Sequence, residues 1–147
     1  MRRGPGIAAC VALWDQNAFK QTIVSGYVGQ LGWLRPLANL AAPLTKTPRL
    51  PAAGEPLRQV YLSHLAVEDN DERLFRPLIG AALAEARRRR FELALLGLAT
   101  RHPLARALNR TWRPREYRAL LHLVQWDSNE AGAMPAPRLP HVEIAVL

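Results

Sequence analysis

Few side chains in this 147-residue chain are spaced for chemistry. Its four histidines, His64, His102, His122 and His141, stand at no metal-ligand spacing, and the single cysteine, Cys10, cannot complete a zinc site with them. Structural or surface roles are the simpler assignment, and no metal is expected. No glycine-rich phosphate loop, serine-centred elbow or paired-carboxylate signature occurs. Two arginine features remain. The run Arg87–Arg90 could hold a phosphate, or could close a helix whose C-terminal partial negative charge favours cations. Arg110, Trp112, Arg113 and Arg115 interleave cation and aromatic, a weak nucleic-acid pattern that also describes core aromatics with basic neighbours.

Those arginines sit on, or follow, one well-marked unit. Val60–Val67 reads as a strand, Glu68–Arg73 as an acidic connection, Leu74–Arg90 as a helix and Phe91–Leu98 as a second strand. Phe75, Leu78, Ile79, Ala82, Leu83 and Ala86 recur at three- and four-residue intervals and share one helix face that a sheet can bury. Pro77 is placed in the first turn or so, where a missing N–H does little harm. Two strand-length apolar runs flanking one helix predict a crossover between parallel strands.

The rest of the chain is read around that unit. Gly6–Leu13 predicts a buried strand. Asn17 can cap a helix carrying Phe19, Ile23, Tyr27 and Leu31 at four-residue spacing, although Gly26 and Gly29 each weaken it by about 1 kcal/mol. Trp33–Leu40 predicts a second short helix, with Pro36 in its first turn. Residues 43–56 hold four prolines and no periodicity, an internal connector within a single domain of residues 1–147. Pro103 to about Arg110 predicts a helix with Leu104, Ala107 and Leu108 inward. Tyr117–Trp126 predicts a strand, Asp127–Pro140 a surface loop and His141–Leu147 a last strand.

Composition bounds the possibilities. Forty-nine per cent hydrophobic residues are enough for one core without disulfide staples. Twenty Lys and Arg against 12 Asp and Glu leave a net charge of +8. That charge attracts polyanions, or reflects a codon bias toward arginine. No apolar run approaches the roughly 20 residues of a membrane span. Met1-Arg2-Arg3 is followed by Gly-Pro-Gly rather than by the apolar region of an export signal, so no membrane partner and a cytoplasmic location are expected.

The order of elements resembles the C-terminal portion of GNAT-type N-acetyltransferases. Ala84-Glu85-Ala86-Arg87-Arg88 is similar to that family's cofactor helix, and Leu93–Leu98 to its following strand. Arg113-Pro114 and the segment from Tyr117 to Trp126 fall where the family has its turn and penultimate strand. The resemblance implies an α/β fold: a mixed, partly parallel sheet of about five strands with flanking helices. It implies acetyl-CoA as cofactor, its pantetheine arm beside Leu65, Ala66 and Val67. The pyrophosphate would lie at the start of the helix, near Arg73, Leu74, Phe75 and Arg76. Glu68, at the strand end, is the implied general base, and Tyr117 or Tyr61 the implied acid, because Asn109 stands at the family's tyrosine position.

Three departures qualify the resemblance. The loop Glu68–Arg76 has no glycine, and four of its first five residues are acidic. Each carboxylate near a pyrophosphate repels it by about 0.2–1 kcal/mol, which Arg73 and Arg76 offset in part; the same acids also cap a helix and complement its dipole. Asn109 cannot release a proton. The family's usual N-terminal strand and two helices have no room before Gly6, which leaves an open sheet edge through which a homo-oligomer is expected. Two main functions follow: an acyl-CoA-dependent N-acetyltransferase of an unknown amine, weak or inactive, or a non-catalytic GNAT-like interaction or regulatory module. An arginine-driven nucleic-acid binder is a third.

Overall fold

The computed structural model describes residues 1–3, 6–45, 47–120, 122 and 143–146. The chain forms two compact units, residues 1–97 with 143–147, and residues 98–142. The first unit carries a hairpin of β1 (Arg2–Arg3) and β2 (Gly6–Ile7), and a sheet of β3 (Ala9–Trp14), β4 (Gln59–Val67) and β5 (Leu93–Leu95). Two helices accompany them, α1 (Leu31–Thr45) and α2 (Glu72–Arg88).

The sheet is mixed, in the order β3-β4-β5. β3 runs antiparallel to β4, and β4 runs parallel to β5 through Gln59↔Leu93, Val60↔Ala94 and Tyr61↔Leu95. The strand–helix–strand crossover predicted around α2 is therefore present. Gln59–Ser63 are buried at five consecutive positions, as a central strand covered on both faces requires. Gln59 is accommodated there because its Nε2 donates to Thr22 Oγ1 and to the Tyr61 hydroxyl.

Helix α2 forms where the periodicity places it. Phe75, Ile79, Ala82 and Ala86 are buried at four-, three- and four-residue intervals and pack toward β3 and β4. Asp71 is its N-cap, accepting from the N–H of Arg73 at 2.8 Å. The helix thus begins at Glu72, two residues earlier than expected, and Pro77 falls in its second turn. At the far end Glu85 accepts from Arg88 and Arg89 at 2.6–2.7 Å.

Several expectations need correction. The predicted Gly6–Leu13 strand is divided: Gly6–Ile7 joins the hairpin, and Ala9–Trp14 joins the sheet. Residues 17–28 form no helix. Ile23 instead bridges Pro56, and Val24 N–H donates to the Glu55 carbonyl. The short helix expected at Trp33–Leu40 is α1, which runs through Pro36 and Pro43 to Thr45. Residues 143–146 contain a single 3-10 turn, Ile144–Val146, rather than a last strand. Residues 117–120 are exposed and outside any strand. The remainder of the strand predicted to Trp126 and the loop 127–140 lie outside the described residues, as do 141, 142 and 147. Instead of one sheet of about five strands, the described residues form a three-stranded sheet and a separate two-stranded hairpin.

The second unit is built on α3 (Pro103–Trp112), with Leu104 and Ala107 buried. His102 caps it through Nδ1, which accepts from Leu104 N–H at 3.2 Å, and Pro103 occupies the first helical position. Arg113, in the left-handed conformation, closes it with an N–H donated to the Asn109 carbonyl. Among the described residues no helix is long and apolar enough to cross a membrane.

Candidate functional site

The sheet opens at the C-terminal end of β4. Pairing with β5 stops at Tyr61↔Leu95, whereas β4 continues to Val67 paired with β3 alone. Open α/β sheets take ligands beyond the carboxyl ends of their parallel strands, which makes this parting the place to look for one.

An irregularity lies at the same level. Cys10↔Ala66 is followed by Ala12↔Ser63, so three steps on β4 oppose two on β3. His64 takes up the extra residue with φ of 53°, left-handed and unfavourable for a side chain with a Cβ. Its ring lies 6.2 Å, centroid to centroid, from that of Trp14, and its Nδ1 is 3.0 Å from Ser63 Oγ.

The C-terminal turn reaches both strands where they part. His64 N–H donates to Glu143 Oε2 at 2.7 Å, and Ala145 N–H donates to Glu143 Oε1 at 3.2 Å. Ile144 lies so close to Gly97, two residues past β5, that a Cβ on Gly97 would meet the Ile144 Cβ at 2.8 Å. Gln16, 2% exposed, donates from Nε2 to the Ala145 carbonyl at 2.5 Å. Its Oε1 is buried without a hydrogen-bond partner among the described residues.

The residues singled out from sequence are distributed as follows. Leu65 and Val67 are half-buried and Ala66 is exposed, and Ala66 and Val67 pair with Cys10 and Ala9 of β3. Glu68 is exposed at the start of a 3-10 turn, Glu68–Asn70, and its N–H donates to the Ala8 carbonyl. Asp69 and Asn70 both adopt left-handed backbones, which short polar side chains tolerate best. Arg73 N–H is held by the Asp71 side chain, and Leu74 and Phe75 N–H donate to the Asp71 carbonyl. Phe75 is fully buried in the core. Arg76 pairs with Glu72 at 2.9 Å. Tyr117 is 94% exposed in the second unit. Tyr61 is buried, with its hydroxyl accepting from Gln59. Asn109 donates to Glu116 Oε1 at 2.6 Å.

Leu65–Val67, Glu68 and Arg73–Arg76 thus lie around one end of the crossover. A cavity of about 410 Å³ opens at its other end, between Asp15, Arg58, Arg89 and Phe91, away from the predicted cofactor residues. Sequence reasoning missed Glu143 and Gln16. Glu143 lies in a segment read as a strand, and no local spacing signals a carboxylate that bonds a backbone far along the chain. No family model matches this chain, and neither a curated protein nor a solved structure matches it.

Proposed function

We propose that the chain is a non-catalytic interaction module on a GNAT-like α/β frame. The reading rests on one observation: carboxylates of the protein itself occupy the positions where an acyl-CoA would need free backbone donors. Asp71 takes the Arg73 N–H at the start of α2, where a pyrophosphate would rest, and Glu143 takes the His64 N–H where the strands part. Glu68 and Asp69 add further negative charge beside the helix start, and Arg76 is already paired with Glu72. These residues do not fit a bound pyrophosphate, because a ligand anion would have to displace one carboxylate and approach others.

A second reading, an acyl-CoA-dependent N-acetyltransferase, is supported by parallel strands that part after three residue pairs and by the bulge at His64. In that case Leu65–Val67 would flank the pantetheine, Arg73 would face the phosphates and Glu68 would take the proton from an amine. Calorimetric titration with acetyl-CoA separates the two. The interaction module gives no heat and no thermal shift at about 1 mM cofactor, a concentration that reveals affinities as weak as about −4 kcal/mol. Saturable binding that weakens in Arg73→Glu would replace it with the acyltransferase reading.

A further inference from the structure

The cavity of about 410 Å³ lies where the turn after α2 meets the start of β4, and its walls are held by backbone bonds. The Arg58 carbonyl accepts from the N–H groups of Glu92 and Leu93 at 2.7 and 3.2 Å, and Phe91 N–H donates to the Ala86 carbonyl at 3.0 Å. Two guanidinium groups line the cavity, each tethered through Nε. Arg58 donates from Nε to the Arg90 carbonyl at 3.0 Å, and Arg89 to Glu85 Oε1 at 2.6 Å. Among the described residues the terminal nitrogens of both remain as donors, and Arg58 has no carboxylate partner. Pro56 and the half-buried Leu57 and Phe91 supply an apolar wall. Asp15 is on the same lining. Its Oδ1 accepts from the Asn17 N–H and Nδ2 at 3.0 and 2.7 Å, which leaves Oδ2 as an acceptor.

We propose that this cavity binds a nucleoside monophosphate, its phosphate on Arg58 and Arg89 and its base against Phe91. Charge selects the phosphate. Two guanidinium forks carry two positive charges, which a phosphate monoester of about −1.5 to −2 near pH 7 balances, whereas a carboxylate is matched by one fork. Tethering through Nε holds both forks before the ligand arrives, so less side-chain freedom is lost on binding. Asp15 selects against a bare anion. It repels one, unless the ligand brings a donor to its remaining oxygen, as the hydroxyls of a ribose do. Phe91 and Leu57 then favour a flat ring over a sugar phosphate alone. The volume is near the lower end of the roughly 300–1,000 Å³ of small-molecule sites, which suits one nucleotide rather than a strand. Arg87, Arg88 and Arg90 do not line the cavity. The site is at the opposite end of the crossover from Leu65–Val67 and does not depend on whether acyl-CoA binds there.

Calorimetric titration of the full chain with AMP, in a phosphate-free buffer, tests the proposal. AMP is expected to bind with a Kd of about 10 µM to 1 mM, and inorganic phosphate at least about tenfold more weakly. R58A should weaken AMP by at least about tenfold, the ordinary loss of a charged hydrogen bond. R89A, which leaves Arg88 on Glu85, should do the same, so the test does not rest on one variant. F91L keeps an apolar wall without the ring, and should weaken AMP by about fivefold or more while ribose 5-phosphate is unaffected. R87A/R88A, outside the cavity, should leave AMP binding unchanged. Heat from acetyl-CoA that survives Arg73→Glu and is lost in R58A would belong to this cavity and not to the helix start. No binding at about 5 mM AMP, AMP no tighter than inorganic phosphate, or AMP binding indifferent to both R58A and R89A would overturn the proposal. So would an oligonucleotide that binds more tightly than AMP and is released by R87A/R88A, which would reassign the arginines to a polyanion surface.

Discussion

The backbone N–H of His64 donates to Glu143 across 79 positions of sequence, fastening the C-terminal turn to β4 at the residue where that strand bulges. The contact is exposed to solvent, so water can replace the carboxylate when it is removed. Glu143→Ala should cost about 1–3 kcal/mol in denaturant unfolding, because it removes two hydrogen bonds, from His64 and from Ala145, each with a net value of about 0.5–1.5 kcal/mol. Amide exchange at His64 should accelerate. An unchanged exchange rate would show that this carboxylate does not hold the strand.

Asp71→Ala should cost about 0.5–2 kcal/mol, because it leaves the Arg73 N–H without its cap. Asp71→Asn should recover most of that loss, since an amide oxygen can accept the same bond. Chemical denaturation of the two variants side by side separates the cap from the carboxylate's charge.

Phe75→Ala should cost about 3–5 kcal/mol, as expected for an aromatic deleted from a site with no exposure. Arg73→Ala, two residues earlier and exposed, should stay within about 0.5 kcal/mol of the wild type. The pair of unfolding midpoints shows that the two residues, adjacent in the sequence-level site, serve different ends. Equal losses would contradict the burial assigned to Phe75.

Hydrogen bonds from Arg88 and then Arg89 lower the Glu85 carboxyl from 4.5 to about 2. A carboxyl depressed in the folded chain stabilises it fully above its unfolded value. That contribution should therefore be intact above pH 4.5 and fade as the pH falls toward about 2. Carboxyl-carbon NMR titration should place Glu85 near 2, and Glu85→Gln should flatten this part of the acid-unfolding profile. A Glu85 titration near 4.5 would show that the arginine fork does not persist in solution.

The amino-acid sequence by itself determined α2, its apolar face and the crossover it makes. These depend on neighbours three and four residues apart, on a capping aspartate and on the two apolar runs that bracket the helix. It also marked α3, through Pro103 and the Leu104–Ala107 pair. Local pattern failed at residues 17–28, where Phe19, Ile23 and Tyr27 keep a helical spacing. There Gly26 and Gly29 weaken the helix, and the Thr22–Val24 backbone bonds instead with Gly54, Glu55 and Leu57. Only the tertiary structure decided that α1 presents its apolar residues outward, that Glu143 and Gln16 both bond at the C-terminal turn, and that Asp71 and Glu143 hold the backbone N–H groups of Arg73 and His64. The reason is range. Periodicity and capping act within one turn, whereas burial and the pairing of a backbone N–H with a remote carboxylate depend on segments that approach only when the chain has folded.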